Sequence, residues 1–340
     1  MTTYYGLYGQ KVQYLASDPT DVQTGQVWYN STSATLKVRS ITTSGAWASA
    51  TAMPTAKNVM GQAGTAIATV IFGGNTDPSY VNTTQTYNGS SWSTPPAVLN
   101  NARGAGGSAA SGTQTSALYF GGTGPGFGPT TRTAITESYN GTSWSPVNSM
   151  NTSRESLGGA GTQTSALAFG GFTSGPYPTG NTAATESWNG TSWTSVNSLN
   201  QTRDSLGSCG TQTSALAAGG QIGPPVANSV ELWNGTSWTA IPGVLNTARG
   251  GLGMFGIQTA AVAFGGSPSG VTAATELFNG TSWTNNPTGL GTARTGFING
   301  AVGTQAGTGL AIGGSNPALV TNVELWTGPG VATTKTVTVS

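Results

Sequence analysis

Histidine is absent from this 340-residue chain, and Cys209 is the single cysteine. Without an imidazole, a serine or cysteine nucleophile lacks the base that usually activates it. One thiol also excludes a disulfide within the chain, so a small core residue is the simpler role for Cys209. The acidic residues that could ligate a metal are not grouped: Asp18, Asp21, Asp77 and Asp204. We therefore expect no enzyme, no metal site and no cofactor.

Charge and long apolar runs are also scarce. Charged residues make up 6% of the chain, against about 25% in an average protein. The net charge is +1 and the basic residues are scattered, so we expect no nucleic-acid partner. No apolar run approaches about 18 residues, and no charged N-terminal region precedes an apolar stretch, so we expect neither a membrane span nor a signal peptide.

Glycine is abundant, at 53 residues, and much of it belongs to a repeat. A six-residue phrase, aromatic-Asn-Gly-Ser/Thr-Ser-Trp, returns every 45 to 52 residues: Tyr87–Trp92, Tyr139–Trp144, Trp188–Trp193, Trp233–Trp238 and Phe278–Trp283. Asn-Gly between strand residues predicts a two-residue hairpin turn, because both turn positions need positive φ. A Gly-Gly pair recurs six times, at 73/74, 121/122, 170/171, 219/220, 265/266 and 313/314. Repeats of this length are typical of propellers and solenoids, and they predict six units.

One unit, from Trp193 to Trp238, shows four short strand candidates and no helical periodicity. They lie around Leu206–Gly210, at Thr213–Ala218, at Ser229–Trp233 and at Ser237–Trp238. Four strands in a repeat are typical of a propeller blade. The equivalent strand Ser165–Phe169 is apolar on both faces, as expected for a sheet packed between two others. We predict an all-β fold, a six-bladed β-propeller with four-stranded antiparallel blades.

The Gly-Gly pair, the later aromatic and the Trp five residues after it resemble the kelch repeat over residues 46–330. The resemblance implies a ring closed by strands from the two chain ends. Trp47 is a lone fourth-strand residue, and the last unit stops at Trp326 without its own Ser-Trp, so we expect these ends to complete one blade. The expected domains are 1–45, the propeller 46–330 and a strand-like tail 331–340, which could compete for that place.

The repeat also organises the charged residues. A cation follows each Trp by ten or eleven residues, and a glutamate precedes the third-strand aromatic by two: Lys57, Arg103, Arg154, Arg203, Arg249 and Arg294, with Glu137, Glu186, Glu231, Glu276 and Glu324. Such repetition favours one buried scaffold pair per blade, as in Arg154–Glu186, Arg203–Glu231, Arg249–Glu276 and Arg294–Glu324. The alternative is a ring of charges that lines an axial channel and holds a charged ligand.

The N-terminal segment Ala16–Arg39 resembles a segment found near the start of bacteriophage structural proteins, notably tail fibres. Within it, Gly25–Asn30 and Thr35–Arg39 read as two strands of a hairpin. The resemblance implies a virion component that is assembled in the cytoplasm of the host, with other virion proteins as partners. The alternative is that residues 1–45 only cap the propeller.

Two units carry long insertions between the Gly-Gly pair and the third strand, at 123–134 and 172–184. Loops that vary on a repeated scaffold are where recognition is commonly found. The candidate binding residues are Tyr80, Phe127, Arg132, Phe172 and Tyr177.

The predicted function is that of a non-enzymatic virion protein that displays a propeller for host attachment or virion decoration. Its partners would be virion proteins and a glycan or protein of the host surface, and the chain could form a homo-oligomer. A kelch-type protein interaction module is the alternative. A glycan-active propeller enzyme is third, because the sequence has neither a histidine nor a pair of acidic residues to act as acid and base. Kelch enzymes of the galactose oxidase type use histidine to bind copper, and this chain has none.

Overall fold

The computed structural model describes residues 12–20, 26–41, 44–125, 132–297, 301–305, 307–329 and 332–337. Two compact units are formed by Ala46–Trp326 and by Met1–Gly45 together with Thr327–Ser340. All regular elements in the described residues are strands, as the repeat predicted. Numbered in chain order, they are β1 (Gln13–Leu15), β2 (Val27–Asn30), β3 (Thr35–Ile41), β4 (Ala46–Ala50), β5 (Gly61–Thr65), β6 (Ala68–Phe72), β7 (Thr84–Tyr87), β8 (Trp92–Ser93), β9 (Gly107–Ser108), β10 (Ala117–Phe120), β11 (Thr136–Tyr139), β12 (Trp144–Val147), β13 (Gly158–Thr162), β14 (Ser165–Phe169), β15 (Thr185–Trp188), β16 (Trp193–Val196), β17 (Gly207–Thr211), β18 (Ser214–Ala218), β19 (Val230–Trp233), β20 (Trp238–Ile241), β21 (Gly253–Ile257), β22 (Ala260–Phe264), β23 (Thr275–Phe278), β24 (Trp283–Asn285), β25 (Ala301–Gln305), β26 (Thr308–Ile312), β27 (Ser315–Asn316), β28 (Ala318–Leu319), β29 (Val323–Thr327) and β30 (Ala332–Val337).

These strands form seven four-stranded sheets within the described residues, one more than the six predicted from the repeat. Six of them, called sheets I to VI here, lie in Ala46–Trp326, the compact unit that contains all the repeats and that we call the repeat unit. Sheets I to V are β5–β8, β9–β12, β13–β16, β17–β20 and β21–β24, and sheet VI has the order β25-β26-β29-β4. Strands β27 and β28 form a separate two-stranded ribbon.

The seventh sheet, the terminal sheet, has the order β1-β2-β3-β30 and corrects the predicted count. Strand β30 pairs antiparallel with β3, from Leu36 opposite Val337 to Ile41 opposite Ala332. The tail therefore joins the N-terminal hairpin and is not a segment of its own. The β1–β2 pair is parallel, and it lies outside the region for which antiparallel blades were predicted.

Asp18 holds the terminal sheet's hairpin together. Its Oδ1 accepts hydrogen bonds from Trp28 Nε1 at 3.0 Å and Asn30 Nδ2 at 2.7 Å. Its Oδ2 lies 2.7 Å from Lys37 Nζ. The hydrogen bond from Lys37, with those from Asn30 and Trp28, lowers the pKa of Asp18 to about 2.

Strand β14 is buried on both faces, between sheets II and IV, which explains why its residues 166–169 are all apolar. Ala166 and Ala168 pack toward Leu118 and Phe120 of sheet II. The large residues of the same strand, Leu167 and Phe169, face sheet IV, where they meet alanines at 215 and 217. Large side chains thus pack against small ones across these two boundaries, which fills the space without overpacking.

A cycle of backbone hydrogen bonds links the innermost ends of sheets I to VI. Each sheet contributes one residue with positive φ just before its first strand: Val59 (47°), Ala105 (55°), Ser156 (53°), Ser205 (50°), Gly251 (63°) and Gly296 (81°). The N–H of each donates to the carbonyl of its counterpart in the preceding sheet, at 2.6 to 3.1 Å. The cycle includes a bond from Val59 of sheet I to Gly296 of sheet VI, at 3.0 Å.

Trp47 lies in β4, the outermost strand of sheet VI, beside the strand that contains Trp326. The centroids of the two indole rings are 5.2 Å apart. A second contact follows the rule of the other sheets, in which a fourth-strand Trp donates its Nε1–H to a Thr at the start of the third strand in the preceding sheet. The pairs are Trp144–Thr84 (2.9 Å), Trp193–Thr136 (3.1 Å), Trp238–Thr185 (3.0 Å) and Trp47–Thr275 (2.9 Å).

Trp92 and Trp283 depart from this rule. Trp92 donates its Nε1–H to the Thr51 carbonyl instead, at 2.8 Å. For Trp283, the third strand of the preceding sheet starts with Val230, whose side chain cannot accept a hydrogen bond, and the buried Nε1 of Trp283 has no partner. An unpaired buried donor costs roughly 1–3 kcal/mol.

We expect Val230→Thr to raise the free energy of unfolding by about 1 kcal/mol, because the new hydroxyl would accept from Trp283. Chemical denaturation monitored by tryptophan fluorescence measures the change. The matched control is Thr185→Val, which removes the acceptor of Trp238 and should destabilise by a similar amount. If Val230→Thr also destabilised the protein, the hydroxyl at position 230 would not be accepting a hydrogen bond from Trp283.

Candidate functional site

The repeated arginines and glutamates lie together inside sheets II to VI. Arg–Glu nitrogen–oxygen distances are 3.1 Å in Arg154–Glu186, 2.8 Å in Arg203–Glu231 and 2.9 Å in Arg249–Glu276. The other two ion pairs are Arg103–Glu137 and Arg294–Glu324. All ten side chains are buried, the most exposed at 5%. This burial keeps them from lining an open channel.

Each pair also holds the linker that enters its sheet. In sheet IV, the second oxygen of Glu231 accepts from the backbone N–H and side-chain Nδ2 of Asn200, at 2.7 and 2.8 Å. Arg203 donates in addition to the carbonyls of Gly219 and Ser229, both at 3.0 Å. Burial lowers the pKa of Arg203, and the adjacent Glu231 carboxylate opposes this shift. The pair thus fixes the position of Asp204, the residue that follows the arginine, at the innermost end of the sheet.

Sheet I replaces this pair with Lys57 and Gln85. The Lys57 side chain is buried, and its Nζ lies 3.3 Å from Thr83 Oγ1. The Gln85 Oε1 has no hydrogen-bond partner. With no carboxylate to offset desolvation, burial lowers the pKa of Lys57 to about 8.

Breaking one pair should be costly. We expect Glu231→Gln to lower the free energy of unfolding by about 3–5 kcal/mol, because it leaves the Arg203 charge buried without a counterion. Thermal and urea unfolding measure this. The reciprocal change, Gln85→Glu, supplies the missing carboxylate beside Lys57 and should stabilise the protein at neutral pH. A loss below about 1 kcal/mol for Glu231→Gln would contradict the scaffold role.

The residue after each buried cation begins the innermost part of its sheet, next to the hydrogen-bond cycle. These six positions are Asn58, Gly104, Glu155, Asp204, Gly250 and Thr295. At the two glycines, side chains from loops fill the space instead. A Cβ on Gly104 would lie 3.0 Å from Tyr80 Cδ1 and Cε1, and one on Gly250 would lie 2.9 Å from Gln221 Cγ. We call Asn58, Tyr80, Glu155, Asp204, Gln221 and Thr295 the axial ring.

The long loops contribute the next layer of this site. Arg132 forms an ion pair with Glu155 at 2.8 Å, and both side chains are 17% exposed. The guanidinium carbon of Arg132 lies 4.6 Å from the centroid of the Phe172 ring. Phe172 also exchanges backbone hydrogen bonds with Glu155, at 2.8 and 3.0 Å. The structure therefore brings two predicted binding residues together, but as a partly buried support for the ring.

The other predicted binding residues have different surroundings. Tyr80 is half-buried, and its pKa is raised by desolvation and by the Glu155 charge. Tyr177 is 46% exposed, and its hydroxyl accepts a hydrogen bond from the Gly223 N–H at 3.0 Å. Phe127 lies outside the described residues.

Within the axial ring, Asp204 has a buried carboxyl group whose loss of hydration is only partly offset by hydrogen bonds. It is 6% exposed, and its Oδ1 has no hydrogen-bond partner. Burial raises its pKa to about 6, a hydrogen bond with the Ser205 side chain opposes this shift, and the charge of Glu155 adds to it. Nearby, Asn181 donates to the Gln221 carbonyl at 2.8 Å, while its own Oδ1 has no partner.

The sequence reasoning missed most of the axial ring. The sequence did contain a signal for four of these positions. The residue after the repeated cation differs among six otherwise similar units, where it is Asn, Gly, Glu, Asp, Gly and Thr in turn. Tyr80 and Gln221 have no such signal, because they reach the ring from loops of the preceding sheets.

Cys209 lies in the core, as a small buried residue packed among leucines and alanines of sheets IV and V. Burial raises the pKa of its thiol to about 12, so the reactive thiolate is scarce at neutral pH.

No protein-family model matches the chain, and a search of curated proteins finds no similar sequence. The described residues include no helix with the length and apolar character that a membrane span requires. The same residues contain no group of three or more His, Cys, Asp or Glu side chains placed to hold a metal ion.

The pH dependence of stability tests the state of Asp204. Its pKa is about 6 in the fold against 3.8 for an exposed aspartate, so its carboxyl favours folding below about pH 4, and this contribution is lost as the pH rises through about 6. We expect Asp204→Asn to be more stable than the parent at pH 7, by at most about 3 kcal/mol, and similar to it at pH 4. Urea unfolding at both values measures the difference.

The control for this prediction is Asp18→Asn. Because the pKa of Asp18 is lowered, its carboxylate favours folding at neutral pH, and the substitution should destabilise the terminal sheet there. An Asp204→Asn variant that is less stable than the parent at pH 7 would show that the carboxylate has a favourable partner.

Proposed function

We propose that this chain is a non-enzymatic structural protein of a bacteriophage virion, which displays a propeller for attachment to the host or decoration of the particle. In this proposal the six sheets of Ala46–Trp326 form a kelch-like propeller, and β4 completes sheet VI. The cycle of six backbone hydrogen bonds supports this arrangement, as do the contacts of Trp47 with Trp326 and Thr275.

The observation that carries the binding role is the local loss of repetition beside sheets II to IV. The Arg–Glu pairs repeat almost unchanged, whereas the Arg132–Glu155–Phe172 contacts occur at one place. The segment from 174 to 179 extends from this place, and most of its residues are exposed. Asymmetry on a symmetric scaffold is expected where a ligand or a partner protein is recognised.

The virion assignment depends on the segment Ala16–Arg39 and its resemblance to phage structural proteins. Much of that segment belongs to the terminal sheet, which forms a unit with its own contacts around Asp18. A separate unit of this kind would suit attachment to another virion protein, or to further copies of the chain, and would leave the propeller for display. Assembly would take place in the host cytoplasm.

A kelch-type protein interaction module is the second candidate, and the same loop surface would serve it. Mass spectrometry of purified virions separates the two, because an interaction module that acts in the cell would be absent from the particle. A glycan-active enzyme is the third and weakest candidate, because the chain has no histidine and Glu155 is engaged by Arg132.

Shortening the exposed loop tests the display role. Thr173 donates its backbone N–H and Oγ1–H to the Gly180 carbonyl, at 2.9 and 3.0 Å, so replacing 174–179 by a two-residue turn keeps the closing bonds. We expect this variant to fold and enter virions, and to reduce adsorption to host cells by at least about tenfold, the loss of about 1.4 kcal/mol in binding.

The matched control is Ile67→Ser, which alters an exposed side chain (71%) in the β5–β6 turn, away from the long loops. It should leave both incorporation and adsorption unchanged. Normal adsorption of particles that carry the shortened loop would exclude an attachment role for residues 174–179. Absence of the wild-type chain from purified virions would refute the virion assignment.

A further inference from the structure

We propose that the axial ring is a binding site for a neutral saccharide, whose hydroxyl groups donate to Asn58 and Asp204 and whose ring packs on Tyr80. This inference rests on the proposed function, because it names the class of ligand that the displayed propeller would recognise. It concerns residues different from the exposed loop 174–179, so the two ideas can fail separately.

The first argument is the shortage of hydrogen-bond donors at the ring. Asn58 Oδ1 and Asp204 Oδ1 are shielded from solvent and have no partner in the protein. Asn181 Oδ1, next to the Gln221 backbone, is in the same state. An unpaired buried acceptor costs roughly 1–3 kcal/mol, which a donor from a ligand would recover. Hydroxyl groups are such donors, whereas a carboxylate or phosphate would bring further acceptors.

The second argument is charge. Glu155 is neutralised by Arg132, and the cations that precede the ring residues in the chain are turned into the sheets, where Arg154 and Arg203 have their own glutamates. The charge left at the ring is that of Asp204. An anionic ligand would meet this carboxylate without a free cation, so the ring favours a neutral ligand.

The third argument is access and shape. Asn58, Tyr80, Gln221 and Thr295 are half-buried, so the ring presents part of its surface to solvent. Tyr80 supplies an aromatic face with a polar end, which suits the mixed surface of a sugar. Rotation of the Asn58 amide about its terminal torsion, which has a broad energy minimum, would turn its oxygen toward a ligand.

Saturation-transfer NMR and calorimetry on the full chain test this site, with galactose, N-acetylglucosamine and rhamnose oligosaccharides as neutral probes and sialic acid as the anionic comparison. We expect at least one neutral probe to bind and sialic acid not to bind. Asn58→Ala, Asp204→Ala and Tyr80→Ala should each weaken binding by at least about tenfold, which corresponds to the loss of one hydrogen bond or packing contact.

Ile67→Ser, an exposed change away from the ring, is the control and should bind the same sugar with unchanged affinity. Melting temperatures show whether each ring variant remains folded, and Asp204→Asn serves as a second, sterically conservative change at that position. Failure of the wild-type protein to bind any neutral probe would overturn the inference, as would normal binding by the Asn58→Ala and Asp204→Ala variants. Neither result would bear on the presence of the chain in virions.

Discussion

A buried ion pair between an arginine and a glutamate is the interaction on which the repeat unit depends. Each glutamate holds its arginine with one oxygen and the incoming linker with the other, as in Glu231 with Arg203 and Asn200. Since two buried charges are tolerable only when both are well paired, the geometry of arginine, glutamate and linker is fixed together. The linker is therefore held in the same way where it enters each of sheets II to VI.

This anchoring also positions the residues of the candidate site. The arginine side chain points into the sheet, and the next residue is placed at the innermost end, where its successor takes positive φ and joins the hydrogen-bond cycle. A ring position is thus created in every sheet by the scaffold itself. Its side chain is free to vary because the anchor does not use it, which is why Glu155 and Asp204 can stand where other sheets have glycine.

Variation at the ring also has a structural cost. Asp204 and Asn58 keep oxygen atoms without partners, although a folded protein normally satisfies such groups. Trp283 shows the same kind of deficit in the core, where Val230 replaces a threonine. The two cases differ in position: the first lies beside variable loops, and the second lies between two repeated sheets. Only the first lies at the site where we propose that a ligand supplies the missing bond.

The sequence alone determined the all-β class, the four-stranded unit and the place of each repeated hairpin, because turn residues and alternating apolar residues act over a few neighbouring positions. The predicted two-residue turn was wrong: Tyr87 pairs with Trp92 across four residues, and of Asn88 and Gly89 only Gly89 has positive φ. It could not determine the terminal sheet, since the pairing of β30 with β3 joins segments almost the full chain apart. The axial ring was hidden for a similar reason. Tyr80 and Gln221 enter it because Gly104 and Gly250 leave space in a neighbouring sheet, and packing between sheets is decided only in the tertiary structure.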